Sequence, residues 1–426
     1  MVRLENAQSL VGIALTLLVC WAMSEDRKRF PWRLALGALV VQVGLILLLF
    51  GLPAARGVVA GISAAVDGLG AATAQGTQFV FGYLGGGEQP YVQTAGQAPF
   101  VFAFQVLPLI LVISALSALL WHWGILKLII RGFGLVFEKA MGMGGASATA
   151  TAANIFVGMI ETPIIIRAYL DKLTRSELFL MMVVGLATVA GSTMVAYATI
   201  LRDVLPNAAA HVLVASVVSA PAGVLLARLM VPEKKGEGGV NVDYTSLLKY
   251  ESSIDAISKG VADGLMVVLN ISAILIVFVA LVAIGNALLG LAPDVAGAPL
   301  SIERILGVLF APLAWTLGID GAESGKAGYL LGVKLMLTEF IAFIQLGAIP
   351  AGEMTERTRM ILTYALCGFA NVGSVGITVT GLGVLMPERR AEISSLVWKA
   401  LVAGFLATCM TAAVVGAMPR ELFGIL

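Results

Sequence analysis

Two acidic residues lie inside long apolar stretches of this sequence. Glu161 occurs in the segment NIFVGMIETP, residues 154–163, and Glu339 occurs in GVKLMLTEF, residues 332–340. A carboxylate at the depth of a bilayer is costly, and where it is kept it usually marks a substrate or ion site. Such groups accept hydrogen bonds from a polar solute, ligate a cation, or carry a proton.

The composition indicates a membrane protein. Hydrophobic residues make up 59% of the 426 residues and charged residues 12%, and the mean hydropathy is +0.96, whereas soluble domains contain roughly a quarter charged residues. The net charge of +1 gives no basic footprint for nucleic acid. The three cysteines show no CxxC spacing, and the two histidines show no HExxH motif. The sequence therefore indicates neither a disulfide framework nor a catalytic metal site.

A short pattern that occurs twice indicates two related halves. GLATV at residues 185–189 follows Glu161, and GFANV at residues 368–372 follows Glu339. Paired halves with glycine-interrupted polar segments are typical of transporters that bind their solute at the midplane between repeats. The clearest polar loop, residues 231–239, separates the two halves.

Apolar runs of roughly 20 residues predict membrane-spanning helices. The first run, residues 9–23, lacks a cleavage site and is followed by a second long run, so we expect a retained helix. The basic turn at residues 24–29 is expected in the cytoplasm, and residues 57–84 are expected to form an interfacial amphipathic helix. Further runs occur at residues 102–121, 178–200, 209–230, 264–289, 334–346, 360–385 and 396–417.

Two stretches are too rich in small residues to be simple spans, residues 142–169 and residues 306–332. We expect both to form re-entrant hairpins, because non-helical backbone at membrane depth is tolerated only where it is buried in protein or lines a wet cavity. Gly158 and Pro163 bracket Glu161 at such a break.

Four segments together resemble the concentrative nucleoside transporter family. They are GTQFVFG at residues 76–82, FVGxxExP at 156–163, GxKxxxxEF at 332–340, and CGFANxxS at 367–374. The resemblance implies a homotrimer in the lipid bilayer, with about eight transmembrane helices, two re-entrant hairpins, interfacial helices and an inverted-repeat transport domain on a scaffold. We therefore expect an all-α integral membrane protein that is not an enzyme.

On this resemblance we divide the chain into five parts. Scaffold helices and an interfacial helix take residues 1–135, and the first transport-domain repeat with a following scaffold helix takes residues 136–232. A cytoplasmic loop, an interfacial helix and a long scaffold helix take residues 233–300. The second transport-domain repeat takes residues 301–390, and a C-terminal scaffold helix takes residues 391–426.

The resemblance also implies a substrate site. It assigns Glu339, Asn371 and Ser374 to the ribose hydroxyls and Phe369 to the pocket wall. It assigns Glu161 and Thr193 to the side of the base. A carboxylate and an amide suit a vicinal diol, and a site of buried polar groups rejects analogues that lack a hydroxyl.

Each of these residues has a purely structural alternative. Glu339 would pair with Lys334, although a five-residue spacing places them off one helix face, and Glu161 would cap its own hairpin. Asn371, Ser374 and Thr193 would make ordinary hydrogen bonds between helices.

A sodium site of the family is similar to one formed by the Asn154 Oδ1, the Val157 carbonyl, the Thr188 hydroxyl and the Val189 carbonyl. Hard oxygen ligands suit a hard monovalent cation. The alternative for Thr188 is a hydroxyl bonded back to the preceding turn. Proton coupling through the two glutamates is the alternative to sodium coupling.

The chain departs from the family pattern beside Glu161. Where the family has Gly-Gln-Thr-Glu or Gly-Gln-Ser-Glu, this sequence has Met159 and Ile160 before the glutamate. A thioether packs adaptably and hydrogen-bonds weakly, so we expect the base slot to be lined by Met159 and Ile160 and to favour purines or relaxed selectivity.

Other functions remain open at this level. They are a proton-coupled nucleoside or nucleobase transporter, a carrier of another ribosylated solute, a passive channel, and a nucleoside receptor that does not transport. A receptor has no need of two broken hairpins and a repeat. The compact chain favours a bacterial inner-membrane protein.

We predict that Met159→Gln raises uridine transport relative to adenosine transport, because an amide donates to and accepts from the edge of a pyrimidine. Uptake of both radiolabelled nucleosides by vesicles measures the ratio. An unchanged ratio would count against a role for Met159 in base selection.

Overall fold

The computed structural model describes residues 4–28, 30–90, 101–159, 161–234, 249–295 and 297–423. These residues form helices and turns, with one isolated bridge between Val295 and Ala298. The predicted all-α class is confirmed. The predicted residue Ile160 and part of the polar loop at residues 231–239 lie outside the described residues.

The described residues include six helices that are long and apolar enough to cross a membrane, or seven if one bent pair is a single span. Most of the predicted spans match these helices. The first run forms a somewhat shorter apolar helix. The six are Trp32–Gly51, Phe102–His122, Arg175–Leu201, Ala208–Met230, Ser253–Leu289 and Pro387–Ala417.

The helices that precede the first repeat form one side of the molecule. A five-residue π-helical turn, Leu47–Gly51, extends the second of them. Residues 57–84, predicted as an interfacial helix, lie largely in a single helix. The elements are α1 (Leu4–Ala22), α2 (Trp32–Ile46), α3 (Pro53–Phe81), α4 (Phe102–Gln105) and α5 (Pro108–His122).

One order of helices occurs twice in the rest of the chain, as the repeated pattern predicts. In each repeat an amphipathic helix is followed by a broken hairpin, a broken span and an intact span. The first repeat comprises α6 (Ile125–Met141), α7 (Gly145–Phe156), α8 (Glu161–Ile165), α9 (Arg175–Ala187), α10 (Gly191–Leu201) and α11 (Ala208–Met230). The long helix α12 (Ser253–Leu289) follows, and then α13 (Ile302–Thr316), α14 (Gly321–Met336), α15 (Glu339–Ala348), α16 (Glu356–Leu366), α17 (Val372–Leu385) and α18 (Arg390–Ala417).

The first hairpin lies where the sequence predicts it, and the second does not. Helices α7 and α8 reverse at Val157–Met159, inside the predicted stretch 142–169. The predicted stretch 306–332 instead covers α13 and α14, which meet at 116°. The reversal that carries Glu339 lies between α14 and α15, and the Lys326–Glu353 and Thr355–Glu323 contacts close its base. The glycines near residue 320 caused this misplacement, since they form a bend between helices rather than the tip.

The two hairpins enter from opposite ends of the molecule. Near the start of α1, Ser9 donates to the Leu317 carbonyl beside the base of the second hairpin. Just beyond the other end of α1, Glu25 binds Arg175, which follows the first hairpin. Opposite entry is the arrangement expected of inverted repeats, and it brings both hairpin tips to the middle of the bundle.

Candidate functional site

Glu339 is the first residue of α15, directly after the tip of the second hairpin. Thr338 caps this helix by accepting from the Ile341 amide, 3.3 Å away. The position at a helix N-terminus favours a negative charge. The Glu339 carboxylate is buried, with 5% of the residue exposed, and it accepts from the Tyr197 hydroxyl at 2.9 Å and the Asn371 amide at 2.8 Å.

Asn371 joins this carboxylate to the break in the second repeat. It caps α17, and its Oδ1 accepts from the Ser374 amide at 2.8 Å. Its side chain is therefore held with the oxygen toward Ser374 and the nitrogen toward Glu339. One lone pair on the Asn371 Oδ1 and two or more on the Glu339 carboxylate remain for a ligand.

The alternative pairing of Glu339 with Lys334 does not occur. The Lys334 ammonium donates to the Ala365 carbonyl at 2.7 Å and to the Thr408 hydroxyl at 2.6 Å. Glu339 is thus a carboxylate held by neutral donors, which leaves it free to bind a solute.

A cavity of about 300 Å³ lies against these residues. Its size is at the lower end of the range of about 300–1,000 Å³ for small-molecule sites. The structure brings to this one cavity every predicted substrate residue that it describes: Met159, Glu161, Thr193, Glu339, Phe369, Asn371 and Ser374.

The tip of the first hairpin packs closely on the break between α9 and α10. Gly158 has φ +100°, and a side chain there would meet the Ala190 Cβ at 2.9 Å. Thr193 donates to the Ala190 carbonyl at 2.8 Å. This is a local bond rather than the bond between helices that the alternative predicts, and the residue lines the cavity.

Helix α12 forms the opposite wall. Its apolar side chains and Asn270 line the main cavity, and Asp263 lines a second cavity of about 140 Å³. The two cavities share Glu161, Ser192 and Val267. They form adjoining spaces between α12 and the first hairpin.

The four predicted ion ligands lie at the ends of α7 and α9. Val157 follows the end of α7, and Thr188 and Val189 follow the end of α9. The Thr188 hydroxyl lies 3.2 Å from the Asn154 carbonyl and 2.9 Å from the Val184 carbonyl. The second contact is the local bond that the alternative for Thr188 predicts, and the first joins the two helix ends.

The side chain of Asn154 is the unusual member of this group. Only 1% of the residue is exposed, and neither its Oδ1 nor its Nδ2 has a hydrogen-bond partner among the described residues. Buried amides are nearly always satisfied. The orphaned oxygen fits a site that is completed by a cation.

Comparison with known proteins places the chain in a family. Residues 211–416 match the family described as "Na+ dependent nucleoside transporter C-terminus", residues 11–84 match its N-terminus, and residues 103–203 match "Nucleoside recognition". The "Nucleoside permease NupC" of Helicobacter pylori is 35% identical over 416 residues, which cover 96% of each chain.

The chain belongs to the Na+-dependent nucleoside transporter family.

Solved structures of this family are similar along the whole chain. The transporter CNTnw in an inward-facing substrate-bound state matches with a TM-score of 0.88 and 36% identity, over 97% of this chain and 99% of that one. A variant of CNTnw in an outward-facing state matches with a TM-score of 0.87 and 34% identity, over 99% and 100%. The family and the fold predicted from the sequence are confirmed, and Na+ is supported as the coupling ion.

Family membership also confirms two broader predictions. The chain is a multi-pass membrane protein, and its relatives are transporters and permeases rather than enzymes. The described residues contain no group of three or more His, Cys, Asp or Glu that would hold a metal ion.

Several residues of the candidate site in this member of the nucleoside transporter family were not predicted from the sequence. The Ser216 hydroxyl contacts the backbone of the predicted ion ligand Val189. Both Tyr197 and Ser216 are isolated polar residues in apolar helices and carry no motif. Asp263 and Asn270 had a usable signal, because a seven-residue spacing places both on one face of an otherwise apolar helix.

We predict that Tyr197→Phe weakens binding of a nucleoside about three- to tenfold, because Glu339 loses one of its two side-chain donors, worth about 1 kcal/mol. The ring itself is retained, stacked on Phe343 at 4.3 Å between centroids. Isothermal titration of the purified protein with adenosine measures the affinity.

Tyr364→Phe is the matched control. Tyr364 is equally buried, and its hydroxyl lies 3.2 Å from His211 rather than at the cavity. Equal losses in both variants would contradict a specific role for Tyr197.

Proposed function

We propose that this protein is a sodium-coupled symporter that concentrates nucleosides into the cell by alternating access. It acts as a homotrimer in the lipid of a bacterial inner membrane. The observation that carries the proposal is the carboxylate–amide pair of Glu339 and Asn371 in a buried cavity, beside a second set of oxygens at the ends of α7 and α9.

The ribose is bound by Glu339, Asn371 and Ser374. Glu339 offers acceptors for two hydroxyl protons, and Asn371 adds an oxygen whose orientation is fixed by its bond to Ser374. Because these groups are buried, an analogue lacking a hydroxyl leaves them unpaired and binds much less well.

The base lies toward Met159, Glu161 and Thr193. Met159 lines the cavity and offers no strong hydrogen-bond donor or acceptor. Phe369 and the apolar side chains of α12 supply flat and aliphatic surface. This combination supports a slot that accepts the larger purine ring through contact rather than through base-specific hydrogen bonds.

Sodium is bound by Asn154, Val157, Thr188 and Val189. The unpartnered Asn154 Oδ1 supports this set, and so does the position of both valines just beyond helix ends. The Thr188 hydroxyl donates its single proton to a carbonyl, which leaves its lone pairs for a cation. These ligands are all uncharged oxygens, which suits Na+ and gives no carboxylate to carry a proton.

A backbone hydrogen bond supports coupling between ion and substrate. The Phe369 amide donates to the Thr188 carbonyl, 3.3 Å away. This bond joins the break between α9 and α10, which carries Thr188 and Val189, to the break between α16 and α17, which carries Phe369. If sodium orders the break between α9 and α10, it also orders the break between α16 and α17, and the affinity for the nucleoside rises. By linkage the nucleoside then raises the affinity for sodium by the same factor.

Uptake into proteoliposomes tests the function. Radiolabelled adenosine and uridine are supplied with an inward sodium gradient, with an inward proton gradient, and with neither gradient. Accumulation driven by sodium supports the proposal. Accumulation driven only by protons would replace sodium with proton coupling, equilibration without a gradient would indicate a channel, and binding without uptake would indicate a receptor.

We predict that Thr188→Val raises the sodium concentration for half-maximal adenosine uptake about tenfold, because one of the ion ligands is lost, and that saturating sodium restores most of the uptake. Uptake measured against sodium concentration in proteoliposomes gives the shift.

Thr363→Val is the control, because Thr363 is also buried and bonds the Arg359 carbonyl four residues before it at 2.8 Å. It removes the same kind of local bond from the equivalent helix of the second repeat. A similar shift in both variants would assign the effect to the helix rather than to an ion ligand.

A further inference from the structure

Lys334 is a buried cation at the centre of the second repeat. The residue is completely buried, and its ammonium donates to the Ala365 carbonyl and to the Thr408 hydroxyl. Its Nζ also lies 5.4 Å from the centroid of the Phe405 ring. Among the described residues, no acidic side chain forms an ion pair with it. Burying an unpaired charge is costly, so a purely structural side chain at this position would serve better without the charge.

The ammonium contacts helices that meet near the site. Ala365 is the last residue but one of α16, where the helix breaks and its final carbonyls lose their helical partners. A cation at this end is favoured by the helix dipole. Lys334 thus holds the arm of the second hairpin to the end of α16, and Thr408 connects both to α18.

Counted from the C-terminal end of its helix, Lys334 occupies the same position as Asn154 in the first repeat. Asn154 lies three residues before Val157, which caps the C-terminal end of α7, and Lys334 lies three residues before Leu337, which caps that end of α14. The surroundings also correspond. Each residue lies near the end of the first arm of a hairpin, and each repeat adds a hydroxyl from its last helix.

These hydroxyls belong to Ser216 on α11 and Thr408 on α18. Ser216 contacts the backbone of Val189, at 3.3 Å from the amide and 3.4 Å from the carbonyl. Thr408 accepts from Lys334. In the first repeat the end of α7 carries an orphaned amide oxygen, whereas in the second the end of α14 carries a covalently attached ammonium.

We propose that Lys334 is a positioning residue that acts as a built-in cation, taking in the second repeat the place that sodium takes in the first. This inference rests on the proposed function, since it uses the same sodium site. The second repeat is permanently in its cation-bound arrangement, and the first reaches that arrangement only when sodium is present.

Lys334 affects the side chains that are proposed to bind the ribose. Lys334 lies five residues before Glu339, and its acceptor Ala365 lies six residues before Asn371. The ammonium therefore joins the two chain segments that bring the carboxylate and the amide together. Without it, the distance between Glu339 and Asn371 is no longer held, and ribose binding weakens at every sodium concentration.

The test is Lys334→Met, which keeps the unbranched side chain up to the position of Cε and removes the charged ammonium. Adenosine binding to the purified, detergent-solubilised protein is measured by isothermal titration across a range of sodium concentrations. We expect the Kd for adenosine to rise about tenfold, as for loss of a charged hydrogen bond, with an unchanged half-saturating sodium concentration and no recovery at high sodium. Lys334→Arg restores charge and should recover part of the affinity.

Lys326→Met is the matched control on the same helix, because Lys326 is 51% exposed and pairs with Glu353 at the surface. It should leave the Kd unchanged. A folded Lys334→Met protein with the wild-type Kd for adenosine would overturn the inference. A loss of adenosine affinity that high sodium reverses would also overturn it, and so would a Lys334→Arg variant that binds adenosine no better than Lys334→Met.

Two further results keep the test decisive. If Lys334→Met does not fold, Thr408→Val removes one acceptor at nearly constant volume and should raise the Kd about threefold; an unchanged Kd would overturn the inference. If the wild-type protein itself binds no adenosine in sodium, the proposed function fails, and this result is distinguishable from a failure of Lys334 alone.

Discussion

The candidate site of this protein depends on one constraint, the need to pair backbone groups where helices break inside a membrane. Among the described residues, both hairpin tips and both broken spans leave amides and carbonyls without helical partners. In hydrocarbon each such group costs several kcal/mol. The breaks satisfy one another instead, as where the Phe369 amide binds the Thr188 carbonyl and where the Thr188 hydroxyl meets the Asn154 carbonyl. The cavity lies beside these paired breaks, because this is where polar groups can be kept.

The two repeats use one architecture for different chemistry. The first presents neutral oxygens around Asn154, and the second presents the carboxylate of Glu339 and the ammonium of Lys334. The hydrogen-bond partners of both charged groups are neutral, and the two groups do not bind each other directly. The long helix α12 belongs to neither repeat, yet its apolar face closes the cavity that both build.

The sequence predicted much of this because its motifs lie at the breaks. Glu161, Glu339 and the two short repeated segments indicated a site between the repeats, since polar residues in apolar runs have few structural uses. The resemblance to the family then implied the individual cavity residues, Thr193 and Phe369 among them. The position of the second hairpin was wrong, because a glycine cluster marks a bend as readily as a tip. Tyr197 could not have been found, since its role depends on a helix that is 142 residues away in the chain. The assignment of α18 to a scaffold stays a prediction, although the helix packs on α9, α16 and α17.

The close approach of the two broken spans has a further consequence for Gly368. A side chain there would lie 2.9 Å from the Ala187 carbonyl of the first repeat and 2.6 Å from the Thr408 Cγ2. Even the methyl group of an alanine at position 368 would fit only if the end of α16 moved away from both α9 and α18. The two kinds of position therefore tolerate substitution unequally. Met159 faces the open space of the cavity, whereas any side chain at position 368 requires the two halves to shift apart.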